Sequence, residues 1–158
     1  MSLVQWKANG WLKDHATNSV ELGNLLSIAD RDIADARSKD LSNDWKFGIA
    51  YNAALKLCTM MLYDAGFMPE KSLAHYRTLM SIEFTLGADR KADAIYLDAC
   101  RAKRNHVEYD YVDGASAAEA EELLEFAVSL RNDVVNALLP KYPTLDQPNE
   151  TGKTGPRD

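Results

Sequence analysis

Apolar residues recur at helical spacing along most of the chain. Between residues 19 and 39 they fall three, four and seven positions apart: Leu22, Leu25, Leu26, Ala29, Ile33 and Ala36. Residues 43–65 carry a wider apolar face, which includes Phe47, Tyr51, Leu55 and Met61. Such spacing is typical of amphipathic helices, and the wider face predicts the most buried one. The sequence therefore predicts two helices here, the second of them central in the fold.

The same spacing predicts further helices over residues 70–86, 89–109 and 116–142, and a short one within residues 3–15. No stretch alternates convincingly between apolar and polar residues, as a half-buried strand would. We expect an all-α, up-and-down bundle of four to five longer helices.

Polar residues in suitable places predict where these helices begin. Ser19 or Asn18 and Ser42 or Asn43 are candidate N-caps, because their side chains can accept a backbone N–H of the first turn. Ser116 is followed three residues later by Glu119, the spacing of a capping box. At the other end of the central helix, Gly66 predicts a stop.

Composition fits one globular domain. The chain has 158 residues, of which 46% are hydrophobic and 27% charged, and no apolar run is long enough to cross a membrane. The first residues lack the layout of a signal peptide, so we expect a cytoplasmic protein without membrane contact. Residues 143–158 are polar and hold three of the five prolines, which predicts a domain over residues 1–142 and a disordered tail.

Charge and metal-binding residues restrict the functional classes. A net charge of -6 disfavours broad, non-specific binding to nucleic acid, although a local basic site remains compatible with it. The two cysteines form no CxxC pair, and with three histidines no zinc-type cluster can be assembled by spacing. We expect no metal site, and the sequence indicates no cofactor.

Residues 101–110, RAKRNHVEYD, form the most basic stretch of the chain. On a helix Arg101, Asn105 and Glu108 share one face, and Arg104 and Glu108 are spaced for an ion pair. Arginine can hold a phosphate bidentately, asparagine can orient a partner, and a histidine such as His106 can transfer a proton near neutral pH. Spacing alone equally fits a solvated charge run near a helix C-terminus.

The same residues resemble the signature of the HEPN family of α-helical domains, an arginine followed after four to six residues by a histidine. Arg101 and His106 match it, and the upstream stretch SNDWKFGIAYNAALKLCTMMLYDAGFMPEKSLAHYRTL is similar to the first signature of that family. The resemblance covers residues 18–138. A second alignment, on Arg104 and Asn105, matches a branch that reads R-x-x-R-N-x-x-E-Y and places Tyr109 at or near the histidine position.

For active members the resemblance implies a homodimer that cuts RNA without metal through attack by the 2′-hydroxyl. Many such members are toxins that a partner nucleotidyltransferase neutralises, whereas others bind RNA, nucleotides or a protein without cutting. We therefore expect a HEPN-like RNA-binding protein or metal-independent endoribonuclease of toxin or RNA-processing type. The alternative is a catalytically inactive module that binds a nucleotidyltransferase or another protein partner.

The expected site combines residues of this stretch with side chains from earlier helices. Arg101, Arg104, Asn105 and His106 are the candidates for catalysis; the candidates for substrate binding are Lys103, Glu108, Tyr109, Tyr51 and His75. Tyr109 could stack on a base. For Tyr51 the alternative is a place in the core with its hydroxyl hydrogen-bonded, and for His75 it is a purely structural role.

Overall fold

The structure is a computed structural model that describes residues 1–109 and 113–147. Its helices are α1 (Leu3–Ala8), α2 (Ser19–Ala36), α3 (Asn43–Asp64), α4 (Ala74–Met80), α5 (Ile82–Thr85), α6 (Lys91–Tyr109) and α7 (Ala117–Leu138), with a 3-10 turn at Ala88–Arg90. Two strands, β1 (Leu12–Asp14) and β2 (Phe67–Pro69), pair antiparallel. The expected all-α bundle with four longer helices is confirmed.

Helix α3 is the centre of the bundle, as its wide apolar face predicts. It contacts α2, α7, α6 and α4. Its buried side chains cover well over half of the helix circumference: Phe47, Ala50, Tyr51, Ala53, Ala54, Leu55, Leu57, Cys58, Met60, Met61 and Leu62. A helix with so wide an apolar face is stable only when several other elements pack against it. Side chains on α3 can therefore contact those of α4 and α6.

The predicted helix starts are confirmed at atomic level. Asn18 accepts the N–H of Glu21 at 2.9 Å, and Ser42 accepts the N–H of Trp45 at 3.1 Å. Ser116 and Glu119 form both hydrogen bonds of a capping box at the start of α7. These bonds satisfy backbone donors that have no partner inside their helices. Gly66, at φ 97°, follows the end of α3, where a side chain would be strained.

The helix predicted over residues 70–86 is instead two short helices that meet at Ser81. Leu73, at φ 54°, takes a left-handed conformation, so α4 begins only at Ala74. Ser81 is fully buried, and its hydroxyl donates to the carbonyl oxygen of Thr78 at 2.7 Å. This side-chain hydrogen bond to the preceding turn lies at the break between α4 and α5, which apolar spacing does not reveal.

The two strands were not predicted, because three residues are too few to show an alternating pattern. β1 and β2 pair with Leu12 opposite Pro69 and Asp14 opposite Phe67. Beside them Trp6, which is buried, contacts the rings of Trp11 and Phe84 edge-on at centroid distances of 5.8 and 5.3 Å. The N-terminal segment is thereby fastened to the turn between α3 and α4.

Residues 143–147, which the sequence assigns to a disordered tail, lie against the bundle. Leu145 is buried, and Asp146 accepts a hydrogen bond from Arg131 at 2.6 Å. One apolar side chain and one ion pair extend the ordered fold beyond the predicted boundary at residue 142. The sequence does not predict this, because a single leucine within a mostly polar segment is a weak indication of burial. Residues 148–158 of the predicted tail lie outside the described residues.

No helix in the described ranges combines the length and apolar character that crossing a bilayer requires.

Candidate functional site

The arginines of α6 lie where this helix meets α3 and α4. Leu97 and Cys100, on the inner side of α6, are buried, and Arg101 and Arg104 continue that side toward the end of the helix. The guanidinium carbon of Arg104 is 5.4 Å from the ring centroid of Tyr51, on α3. This distance allows cation–π attraction between the guanidinium and the ring. Arg104 is therefore fixed against the central helix.

Arg101 has one partner on its own helix and one on α4. Its Nε donates to Asp98 Oδ1 at 2.8 Å, and its guanidinium carbon lies 6.0 Å from the ring centroid of Tyr76. The ion pair with Asp98 is partly exposed and offsets some of the positive charge of Arg101. It also holds the guanidinium toward α4, beside the position of Arg104.

His75, on α4, is close enough to both arginines for their charges to act on its pKa. It precedes Thr78 and Leu79, which are buried, by three and four residues, so it shares their face of the helix one turn earlier. Burial is the largest cause that lowers the pKa of His75 below its ordinary 6.5. The positive charges of Arg104, Lys56 and Arg101 lower this pKa further, because they oppose a third positive charge nearby.

Tyr51, on α3, lies between the core and Arg104 and is fully buried. Burial raises the pKa of its hydroxyl, and the charges of Arg104 and Arg101 oppose the rise. Among the described residues this hydroxyl has no hydrogen-bond partner, so the expected hydrogen bond in the core is not formed. Burying a hydroxyl without a partner costs stability, which makes Tyr51 an unusual core residue.

We call Tyr51, His75, Arg101 and Arg104 the basic cluster. Three helices contribute to it: α3 supplies the tyrosine, α4 the histidine, and α6 the two arginines. It can bind an anionic group, since guanidinium and imidazole groups donate hydrogen bonds to phosphate oxygens. The cluster thus joins two of the sequence-predicted substrate residues to two of the predicted catalytic ones.

His106 is on the other side of α6. A helix turns about 100° per residue, so His106 is rotated by about 140° from Arg101 and about 160° from Arg104. The residue is exposed. Within one chain, α6 therefore does not bring the predicted histidine and the two arginines together.

The remaining predicted residues lie around the cluster or beyond what is described. Asn105 is exposed beside Arg101. Lys103 points to α7, where its Nζ lies 3.3 Å from Glu119 Oε2, so it is separate from the basic cluster. Glu108 and Tyr109 are on α6, but their side chains are outside the described part of the structure.

Sequence reasoning missed Lys56 and Tyr76. Lys56 is the one charged residue within the apolar run ALKLCTMML of α3, and its side chain is partly exposed. A lysine inside an otherwise buried helix is a signal of a polar surface at that point. The contact of Tyr76 with Arg101 depends on how α4 packs against α6, which one sequence does not reveal.

Within the described ranges, no group of three or more histidine, cysteine, aspartate or glutamate side chains is placed to hold a metal ion. Comparison of the chain with family models, with curated proteins and with solved structures finds no match.

Proposed function

We propose that the chain is a HEPN-like RNA-binding protein whose basic cluster holds a phosphate of the RNA backbone. The observation that carries this proposal is that Arg101 and Arg104 lie together where α6 meets α4 and α3, near the rings of Tyr76 and Tyr51, in a chain of net charge -6. Two guanidinium groups on one surface can donate charge-assisted hydrogen bonds to the oxygens of one phosphate.

The composition of the cluster fits RNA better than duplex DNA. A small basic site contacts few phosphates, which is too little for broad binding to a duplex by an acidic protein. Tyr76, beside Arg101, is partly exposed and offers a ring on which an unpaired base can stack. Phosphate contacts from the arginines and one stacked base together favour a single-stranded stretch of RNA.

The proposal includes the family activity as its catalytic form, a metal-independent endoribonuclease of toxin or RNA-processing type. In that reaction a 2′-hydroxyl oxygen attacks the adjacent phosphorus and its proton passes to a base, while the bond from phosphorus to the 5′ oxygen breaks and that oxygen takes up a proton. Arg101 and Arg104 would oppose the charge that develops on the phosphate oxygens. A homodimer in the cytoplasm, with a nucleotidyltransferase as antitoxin partner, belongs to the same proposal.

The experiment incubates the purified protein with labelled single-stranded RNA in excess EDTA and follows both binding and cleavage. We expect binding that Arg104→Ala weakens. Cleavage that is lost in Arg104→Ala or in His106→Ala would support the endoribonuclease form. Binding without cleavage would leave an RNA-binding protein, and no binding by the folded wild type would contradict the proposed function.

A second candidate function is a catalytically inactive module that binds a nucleotidyltransferase or another protein. It is favoured by the outer face of α6, where Ile95 is 54% exposed and Ala92, Ala99 and Ala102 are exposed along one stripe. An exposed apolar stripe suits a protein surface better than RNA. In this case Ile95→Asp would abolish co-purification with a co-expressed nucleotidyltransferase, while Arg104→Ala would not.

A further inference from the structure

We propose that Arg77, on α4, binds a second phosphate of the RNA, next to the one that the basic cluster holds. The inference rests on the proposed function and deepens it, because it extends the site from α6 across α4 to the N-terminal segment. The RNA would then contact arginine side chains on both sides of Tyr76. Arg77 does not belong to the site that the sequence predicts.

Arg77 lies beside the residue of α4 that contacts Arg101. The guanidinium carbon of Arg101 is 6.0 Å from the ring centroid of Tyr76, and Arg77 is the next residue along the helix. Consecutive helical residues are rotated by about 100°, so the two side chains leave α4 on neighbouring sides. Tyr76 is directed toward α6, and Arg77 toward Trp11, just before β1. The surface of α4 around Tyr76 thus lies between two guanidinium groups.

The guanidinium of Arg77 is held against an aromatic ring. Its central carbon lies 4.0 Å from the ring centroid of Trp11, a distance at which cation–π attraction acts. Trp11 is itself packed edge-on against the buried Trp6, with 5.8 Å between the ring centroids. A guanidinium that such a ring orients before the ligand arrives loses less conformational entropy on binding. Arg77 is therefore preorganised on a partly exposed surface.

Arg77 also lacks the carboxylate partner that several other arginines of the protein have. Arg31, Arg90 and Arg131 are each paired with an aspartate, at 3.0, 2.7 and 3.0 Å. Within residues 1–109 and 113–147, the side chain of Arg77 forms no ion pair or hydrogen bond. Its N–H donors therefore remain for a ligand. A phosphate suits them, because a guanidinium group can bind two phosphate oxygens at once.

The alternative role of Arg77 is purely structural: its contact with Trp11 would only fasten the N-terminal segment to α4. A structural contact affects folding, whereas a phosphate contact also changes how binding depends on salt. Each phosphate neutralised on a single strand contributes about 0.7 to the slope of log affinity against log salt concentration, because counterions are released. The salt dependence of RNA binding therefore distinguishes the two roles.

The test measures the affinity for a labelled single-stranded RNA by fluorescence anisotropy over a series of salt concentrations. Arg77→Gln removes the charge and keeps a long side chain beside Trp11. Arg37→Gln is the matched control, because Arg37 is exposed at the end of α2, beside α7. Circular dichroism checks that both variants fold.

We expect Arg77→Gln to bind about tenfold more weakly than the wild type, since a charge-assisted hydrogen bond is lost, and to reduce the steepness of the salt slope by about 0.7. Arg37→Gln should keep the slope of the wild type. Arg77→Lys should keep it as well, because lysine retains the charge. In the wild type, the NMR signal of the Nε–H group of Arg77 should shift when RNA is added.

The inference is overturned if Arg77→Gln keeps the affinity and the salt slope of the wild type, or if Arg37→Gln changes them equally. A reduced slope that Arg77→Lys does not restore, or an unchanged Nε–H signal, also overturns it. Each of these results leaves the proposed function standing when Arg104→Ala weakens binding. If the folded wild type binds no single-stranded RNA, the proposed function fails and the inference fails with it.

Discussion

Tyr51 and Arg104 show how much one residue's surroundings matter in this protein. The ring of Tyr51 fills the core under the basic cluster, and Arg104 lies across it at 5.4 Å. The aromatic ring is fully packed, while the hydroxyl is buried without a hydrogen bond in the described residues. A side chain that satisfies packing but not hydrogen bonding stores a small instability at the site.

Tyr51→Phe should therefore leave the free energy of unfolding unchanged or raise it by about 1 kcal/mol, because it removes a hydroxyl that is desolvated without compensation. Urea unfolding followed by circular dichroism measures this difference. Tyr51→Ala is the control, and it should lower the free energy of unfolding by about 3–5 kcal/mol through the cavity it leaves. A clear loss in Tyr51→Phe would mean that the hydroxyl has a stabilising partner after all.

The two histidines illustrate what the sequence could predict of the site. The rotation of His106 away from Arg101 and Arg104 follows from helix geometry alone, once residues 101–106 are taken as helical. The approach of His75 to those arginines does not, because it depends on the packing of α4 against α6. Arg101 and Arg104 could be predicted as a pair, whereas their partners come from elements distant in sequence.

At the scale of elements, the starts of the longer helices were predictable because their signals are local. A capping side chain acts within three residues, and Asn18, Ser42 and Ser116 all do so. The break at Ser81 and the pairing of β1 with β2 were not predictable. The first lies at a buried serine whose hydroxyl donates to the carbonyl oxygen of Thr78, and the second depends on contacts between segments about fifty residues apart.

The capping box of α7 gives a prediction at this scale. Ser116→Ala should lower the free energy of unfolding by about 1 kcal/mol, because the N–H of Glu119 loses its acceptor. Ser129→Ala, at an exposed position within the same helix, is the matched control and should change stability by less than about 0.5 kcal/mol. Thermal or urea unfolding compares the two. Equal effects would contradict the importance of the cap.

At the scale of the whole molecule, residues 143–147 after α7 pack against the bundle. Arg131 donates to Asp30, on α2, and to Asp146, so one guanidinium joins α2, α7 and the segment 143–147. Leu145 is buried beside them. Composition predicted a disordered tail from residue 143 onward, since prolines and polar residues dominate there. The buried Leu145 and the ion pair of Asp146 hold the first five of these residues against the bundle.

Leu145→Ala should lower the free energy of unfolding by about 2–5 kcal/mol, as other buried leucines do when truncated. Urea unfolding measures it, with Val20→Ala as the control, because Val20 is 71% exposed and should contribute little. If both substitutions leave stability unchanged, Leu145 does not pack against the core in solution.

At this scale the proposed function rests on the distribution of charge. The chain is acidic overall, yet Arg101 and Arg104 lie together where α6 meets α3 and α4, while Lys103 is paired with Glu119 on the side of α7. Arg104 and Lys103 are thus adjacent cations of one helix with different surroundings. Removing either changes the net charge by the same amount, so only the position of the charge distinguishes the two variants.

The most direct test is the equilibrium affinity for single-stranded RNA of Arg104→Ala against Lys103→Ala, at one salt concentration and in excess EDTA, with folding of both variants checked by circular dichroism. We expect Arg104→Ala to bind about tenfold to a hundredfold more weakly than the wild type, because charge-assisted hydrogen bonds to phosphate are lost. Lys103→Ala should bind nearly as the wild type does. Equal losses in the two variants, or no loss in Arg104→Ala, would contradict the claim that the basic cluster holds an RNA phosphate.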